Sequence, residues 1–281
     1  MRIARLEQYG LLQVTGEDAR AFLHAQLTNN VEHLAPGMAC YAGWCSAKGR
    51  LLATFLVVPS PAGFLLQLSR DLVPVVAKRL SMFILRSKVK IADATGPWVQ
   101  YGVWGPADGN PLSVSESGGS ITVSIEPDRA LLLVPEENSR SYKPDTSADE
   151  WALAEIRAGR ALIAQATQDQ FVPQMVNLEL AGGVDFRKGC YPGQEIVARA
   201  QYRGVVKRRM VRLRGAALQP GQEIYSDDSS GQAGGTVGIV VNSAGGEALA
   251  VLQVSAIEAK SPLRVQPQAA ALEVLPLPYS Q

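Results

Sequence analysis

The chain has 281 residues, 47% of them hydrophobic, enough apolar surface to bury a substantial core divided into two or more lobes. A net charge of +1 supplies no global field that would demand a nucleic-acid or membrane partner, so any such attraction has to come from a local patch. Three cysteines, an odd number without a CxxC pair, argue for reduced thiols in a cytoplasmic compartment. The N-terminus lacks the apolar core of a secretory signal, and Glu7 comes too early for an acid-poor transit peptide. A first helix is predicted near 16–28, where Thr15 followed by Asp18 resembles a capping box and Phe22, Leu23 and Leu27 share one face. Residues 51–69 carry no charge, but Pro59, Ser60, Pro61, Ala62 and Gly63 interrupt them. Two short apolar runs about a turn predict paired, buried strands and no membrane insertion. Val75, Val76, Arg79, Leu80, Phe83 and Ile84 give a second amphipathic stretch, followed by strands near 98–104, 121–125 and 130–134. Residues 135–148 are polar and proline-containing and predict an exposed connection. From 205 onward VVKRRMVRLRG, TVGIVVN and ALAVLQVSAI, separated by Gly, Ser and Asp, predict a small β-barrel. The fold class is α+β, and Gly234, Gly235 and Gly238 read as a turn or bulge rather than a phosphate loop.

Chemistry concentrates in 185–204, DFRKGCYPGQEIVARAQYRG. Arg187 and Lys188 precede Cys190, Pro192 suits the first position of a helix, and Gln194 and Glu195 would fall in its first turn. A thiol at a helix N-terminus beside positive charge is favoured as thiolate; a tight turn with a merely packed cysteine is the other reading. In DEWALAEIRAGR (149–160), Trp151 and Glu155 lie one helical turn apart on the same face. An indole beside a carboxylate suits a flat heterocycle such as a pterin, and an anchoring Trp with a solvent-facing Glu is the alternative. Arg199, Arg203, Lys207, Arg208, Arg209, Arg212 and Arg214 occur without an intervening acid. They read either as a polyanion site or as a half-exposed strand with Val211 and Leu213 inward and Arg212 and Arg214 in water. His24 and His33 are the only histidines and form no zinc spacing with a cysteine, and Cys40, Cys45 and Cys190 are too few for a four-cysteine cluster.

The octapeptide KGCYPGQE (188–195) resembles the signature of the YgfZ family, folate-binding relatives of the glycine-cleavage aminomethyltransferase, with Pro192 where the family usually has Thr. The likeness extends to 14–31, 45–51, 171–191, 197–209 and the ending PLPYS (276–280), and so spans nearly the whole chain. It implies aminomethyltransferase-like folate-binding lobes over 1–204, the first discontinuous, and a C-terminal β-barrel over 205–281. The implied cofactor is tetrahydrofolate or a one-carbon derivative. Trp151 matches a folate-binding tryptophan of the family, and a second falls at Tyr9. The signature residues are Lys188, Gly189, Cys190, Tyr191, Gly193, Gln194 and Glu195. Related aminomethyltransferases carry a pterin-binding Glu where Arg157 stands, and an essential Asp just after a glycine resembling Gly49, where Leu51, Leu52, Ala53 and Thr54 stand here. Those departures argue against aminomethyl transfer.

The resemblance thus implies a cytoplasmic accessory protein supporting maturation or repair of iron–sulfur enzymes such as tRNA methylthiolases, with Cys190 and Lys188 facing the same cavity as Tyr9 and Trp151. Two other readings stand beside it. One is a folate-dependent one-carbon transferase or Cys190-dependent enzyme, served by His24 or His33 if either approaches. The other is a tRNA-binding module using the 199–214 patch.

Overall fold

Three antiparallel sheets carry the molecule, and the apolar runs in the sequence decide which strands lie in the middle. The structure is a computed structural model describing residues 2–107, 109–215, 218–226, 235–266 and 268–279; Gly234 and Ser280 lie outside the described residues. Its elements are β1 (Arg2–Arg5), β2 (Tyr9–Thr15), α1 (Ala19–Gln26), β3 (Cys40–Cys45), β4 (Leu51–Ser60), β5 (Gly63–Ser69), α2 (Val73–Ser81), β6 (Lys90–Asp93), β7 (Trp98–Trp104), β8 (Val114–Ser117), β9 (Ser120–Glu126) and β10 (Arg129–Pro135). There follow α3 (Ala148–Arg157), α4 (Gln194–Tyr202), β11 (Arg208–Arg214), β12 (Glu223–Ser226), β13 (Thr236–Ala244), β14 (Glu247–Gln253), α5 (Val254–Glu258), β15 (Leu263–Arg264) and β16 (Glu273–Leu275). The sheets run β3-β4-β5-β2-β6, β1-β7-β10-β9-β8 and β15-β12-β13-β14-β11-β16.

The uncharged run 51–69 is the hairpin β4–β5, turning at Pro61 and Ala62 with Ser60 opposite Gly63. It is apolar on both faces because the first sheet is a middle layer. Alternation sends Leu51, Ala53, Phe55 and Val57 into a core shared with α1 and α2, while Leu56 and Val58 meet the second sheet. Met210, Val241, Leu249 and Val251 of the third sheet join the former core, so apolar packing continues across residue 205. No helix among the described residues is long and apolar enough to cross a membrane.

The expected strands at 98–104, 121–125 and 130–134 lie within β7, β9 and β10, and the first helix is α1. Its expected capping box does not form. Thr15 ends β2, and the Asp18 carboxylate accepts from the Lys88 amide at 2.7 Å, so α1 has no side-chain cap. The connection 135–148 holds one 3-10 turn, Glu136–Ser141, and Asp145 accepts from the Ile3 amide. In the third sheet the expected strand through VSAI ends early. β14 stops at Gln253, opposite Arg208 where β11 begins, so Val254–Glu258 has no ladder left and coils into α5. The third sheet is antiparallel, but its two- and three-residue edge strands are joined only by an isolated bridge between Leu263 and Leu272 among the described residues. Gly238 sits where β12 and β13 slip register, a bulge.

Candidate functional site

The end of α3 builds the first site. Ser147 caps its start, and Gly159, at φ +68°, ends it in the left-handed conformation that glycine tolerates. The Gly159 amide returns to the Ile156 carbonyl and the Arg160 amide to the Glu155 carbonyl, the paired bonds of a Schellman turn. That reversal swings Arg160 back over its own helix. Its Nε donates to Glu155 Oε2 at 2.9 Å and its Nη2 to Oε1 at 3.0 Å. From the start of β10, Arg129 donates to the same Oε1 at 2.7 Å and approaches Glu126 at 3.2 Å, although it is only 2% exposed. Burial pushes the Glu155 carboxyl up, but Arg160 and Arg129 pull it down further, and the net value lies below the usual 4.5.

Trp151 serves this cluster from beneath. It is 2% exposed, its ring lies against Gly102, Trp104 meets it edge-on at 5.5 Å, and the Arg129 guanidinium stands 4.6 Å from a ring centroid. Glu155 and Arg160 instead reach the wall of a narrow cavity of about 50 Å³, shared with Tyr9, Tyr41, Gln67 and Leu178. Neither Tyr9 nor Tyr41 donates its phenol to a described residue, and burial raises both above the usual tyrosine value. Two protonated phenols, a clamped carboxylate and apolar walls fit a flat heterocycle carrying N–H and carbonyl groups. Arg157, at the position of the aminomethyltransferases' pterin-binding Glu, turns away and donates to Glu247 at 2.9 Å.

The signature loop forms a second, separate place. Lys188, 6% exposed, donates to the carbonyls of His24 and of Leu27, the latter at 2.8 Å, and so satisfies the open end of α1. Its ammonium also stands 4.9 Å from the Tyr191 ring. Burial lowers its pKa to about 8, against the opposing pull of Asp185, Cys190 and Glu32. Gly193, at φ +79°, presses against Gly49 and the Ser46 carbonyl, so the segments 45–51 and 188–195 interlock through their glycines. Thr28 and Asn29 bind the Gly183 and Gly182 carbonyls and complete the junction.

Cys190 is exposed, whereas Cys40 and Cys45 are buried and raised by burial to about 12. Three expectations change here. The helix opens at Gln194, because Gly193 in the left-handed conformation precedes it, so Pro192 stands before the helix and Cys190 outside its first turn. Gln194 and Glu195 do occupy that turn. No residue of 188–195 lines the Tyr9 cavity, so the expected single cavity for Cys190, Lys188, Tyr9 and Trp151 is not formed. Of the two histidines, His24 approaches: its Nε2 lies 3.5 Å from where a β-carbon of Gly189 would stand, and burial followed by Lys188 lowers its pKa below 6.5.

Arg212 is likewise not in water. It is 17% exposed and 3.7 Å from buried Glu247, because β11 packs on both faces, sending Met210 into one core and Val211 and Leu213 into another. The residues that sequence reasoning missed are Tyr41, Arg129 and the role of Arg160. Nothing local marks them, since Arg129 meets Glu155 from 26 positions away.

Among family models the chain matches none. It is 30% identical over 307 residues to the tRNA-modifying protein YgfZ of Klebsiella pneumoniae, covering 100% of this chain and 93% of that one. It is 30% identical over 308 residues to the tRNA-modifying protein YgfZ of Edwardsiella ictaluri, again with 100% and 93% covered. An uncharacterized protein of Haemophilus influenzae is 33% identical over 285 residues, with 98% and 97% covered. Among solved structures, the glycine cleavage system aminomethyltransferase T of Bartonella henselae superposes with a TM-score of 0.77 at 16% identity, over 98% of this chain and 85% of that one. That likeness gives the chain an aminomethyltransferase-like fold.

Two predictions follow from the two clusters. Glu155→Gln leaves the buried Arg129 with Glu126 as its one remaining carboxylate among the described residues and lowers stability by about 1–3 kcal/mol at neutral pH in denaturant titration. Because the folded value of Glu155 is depressed, its contribution is present above the ordinary carboxylate value of 4.5 and is lost as pH falls through the folded one, so the gap between wild type and variant closes on acidification. Lys188→Met bares the end of α1 and lowers stability by about 1–3 kcal/mol. Between about 8 and 10.5 the unfolded chain keeps a Lys188 proton that the folded chain has released, so the advantage of wild type over the variant grows with pH in that window. Thermal denaturation across the pH series checks it; a constant difference contradicts it.

Proposed function

The chain belongs to the YgfZ family, and on that premise we propose that it is a folate-binding accessory protein that supports tRNA modification by maintaining iron–sulfur enzymes. The observation that carries the ligand half is the pair of cavity-facing phenols, Tyr9 and Tyr41, beside a carboxylate held rigid by two arginines. A reduced pterin has donor and acceptor edges that match the phenols and the carboxylate of that wall. When bound, tetrahydrofolate or a one-carbon derivative supplies a carrier of one-carbon units. The protein's part is to orient the ring with Tyr9, Tyr41 and Gln67 and to shield it with Leu162, Val176 and Leu178. Trp151 contributes in this reading by holding Arg129, and through it Glu155, rather than by offering a ring face.

Aminomethyl transfer needs a free acid/base group at the reacting carbon. Glu155, the carboxylate of the cavity wall, already accepts three arginine hydrogen bonds and is a weak base. An accessory role suits that chemistry better. Cys190, exposed and within electrostatic reach of Lys188, is the thiol open to a client iron–sulfur enzyme such as a tRNA methylthiolase. A Cys190-dependent enzyme is the second reading, favoured by His24 lying beside Gly189 with its pKa lowered toward the neutral base. Product formation from tetrahydrofolate and a methyl or aminomethyl donor, abolished by Cys190→Ser, separates the two.

Anaerobic calorimetry with tetrahydrofolate tests the ligand half. Wild type binds saturably, and Tyr9→Phe and Tyr41→Phe each weaken binding about five- to tenfold, the worth of one hydrogen bond. A folded wild type that binds no folate, or phenol deletions without effect, contradicts the assignment.

A further inference from the structure

The fold splits the basic run into two halves with different fates. Arg209, Arg212 and Arg214 are ion-paired: Arg209 binds Glu179 and the Gln174 carbonyl, while Arg212 and the half-exposed Arg214 surround Glu247 with Arg157. The outer half is left to solvent. Residues 199–208 hold four cations, Arg199, Arg203, Lys207 and Arg208, and no carboxylate, in a chain whose 27 basic and 26 acidic residues otherwise balance. Arg199 makes one exposed pair with Glu195, of the kind worth little in water, and Arg203, Lys207 and Arg208 form no ion pair with a described residue.

Large apolar side chains stand open among these cations. Tyr202 is 69% exposed and Val205 86%, and Phe186 meets the Tyr202 ring at 5.9 Å and 72°, an edge-to-face pair that steadies it at the surface. A depression beyond Val205, Lys207 and Arg208 extends the surface toward Val254 and Ser255, with Glu258 as its carboxylate. The helix bearing Arg199 and Tyr202 starts four residues after Cys190 and is locked to the 46–49 turn through Gly193 and Ile196, so the surface is fixed beside the signature loop.

We propose that the face formed by 199–208 binds RNA, with phosphates on Arg199, Arg203, Lys207 and Arg208 and an unstacked base on Tyr202. Cations tracking a backbone beside an exposed ring are what single-stranded or loop RNA requires, whereas an acidic protein would use the charges and leave the ring idle. The inference deepens the tRNA-modification reading and rests on it.

An unmodified tRNA transcript, titrated by fluorescence anisotropy over a salt series, tests it. Four phosphate contacts on single-stranded RNA predict a slope of log K against log salt of about −2.8, at about 0.7 per contact. Arg203→Glu combined with Lys207→Glu loses at least about tenfold in affinity and about 1.4 of the slope. Tyr202→Ala weakens binding by at least about fivefold and leaves the slope unchanged. Tetrahydrofolate titration of the same variants matches wild type, showing that they fold and separating a failure here from a failure of the folate site. Wild-type tRNA affinity in the double variant overturns the proposal. So does a Tyr202→Ala variant with unchanged tRNA binding while poly-aspartate competes as well as RNA, an outcome that assigns the face to an acidic protein.

Discussion

The burial of one carboxylate between two guanidiniums constrains the half of this molecule that holds the Tyr9 cavity. Removing three charges from water costs several kcal/mol per ion, and the cluster is tolerable only if its geometry is met closely. The surrounding elements supply that geometry. The Schellman turn at Gly159 returns Arg160 over Glu155, the β9–β10 turn delivers Arg129, and the indole of Trp151 lies over Gly102 to support Arg129 from below. The cavity wall is the exposed edge of this cluster, rigid because it is electrostatically over-determined. A ligand meeting it encounters an acceptor that need not reorganise.

The signature loop answers to a different constraint. Lys188 closes the C-terminal end of α1, and Gly49 and Gly193 allow two turns to approach more closely than any side chain would permit. These contacts commit Lys188 and Gly193 to architecture and leave the Cys190 thiol in solvent. The Tyr9 cavity and the exposed thiol are therefore housed apart, the arrangement that the proposed folate-binding accessory role requires.

How much of this was legible follows from the range of each interaction. The β4–β5 hairpin was plain because an unbroken apolar run about Pro59–Gly63 admits little else, and β7, β9 and β10 announced themselves by local pattern. The start of α1 misled because the partner of Asp18 is Lys88, 70 positions away. α5 hid because strand propensity persists in VSAI after its pairing partner has ended. Tyr9 was visible only through resemblance, and Tyr41 and Arg129 not at all, since Tyr9 and Tyr41 meet the end of α3 only once the first sheet has assembled, and Arg129 supports it from a strand of the second. The same limit explains why Cys190 and Lys188 were expected at the cavity of Tyr9: a motif declares its residues but not which wall they face.

The structure of the tetrahydrofolate complex tests the central claim most directly. The account predicts the pterin ring between Tyr9 and Tyr41 with its polar edge toward Glu155 and Arg160, Trp151 still covered by Arg129, and no contact to Cys190. A ligand seated against Lys188 and Cys190, or stacked on an uncovered Trp151, would contradict the separation of the two sites and the role assigned to the buried ion cluster.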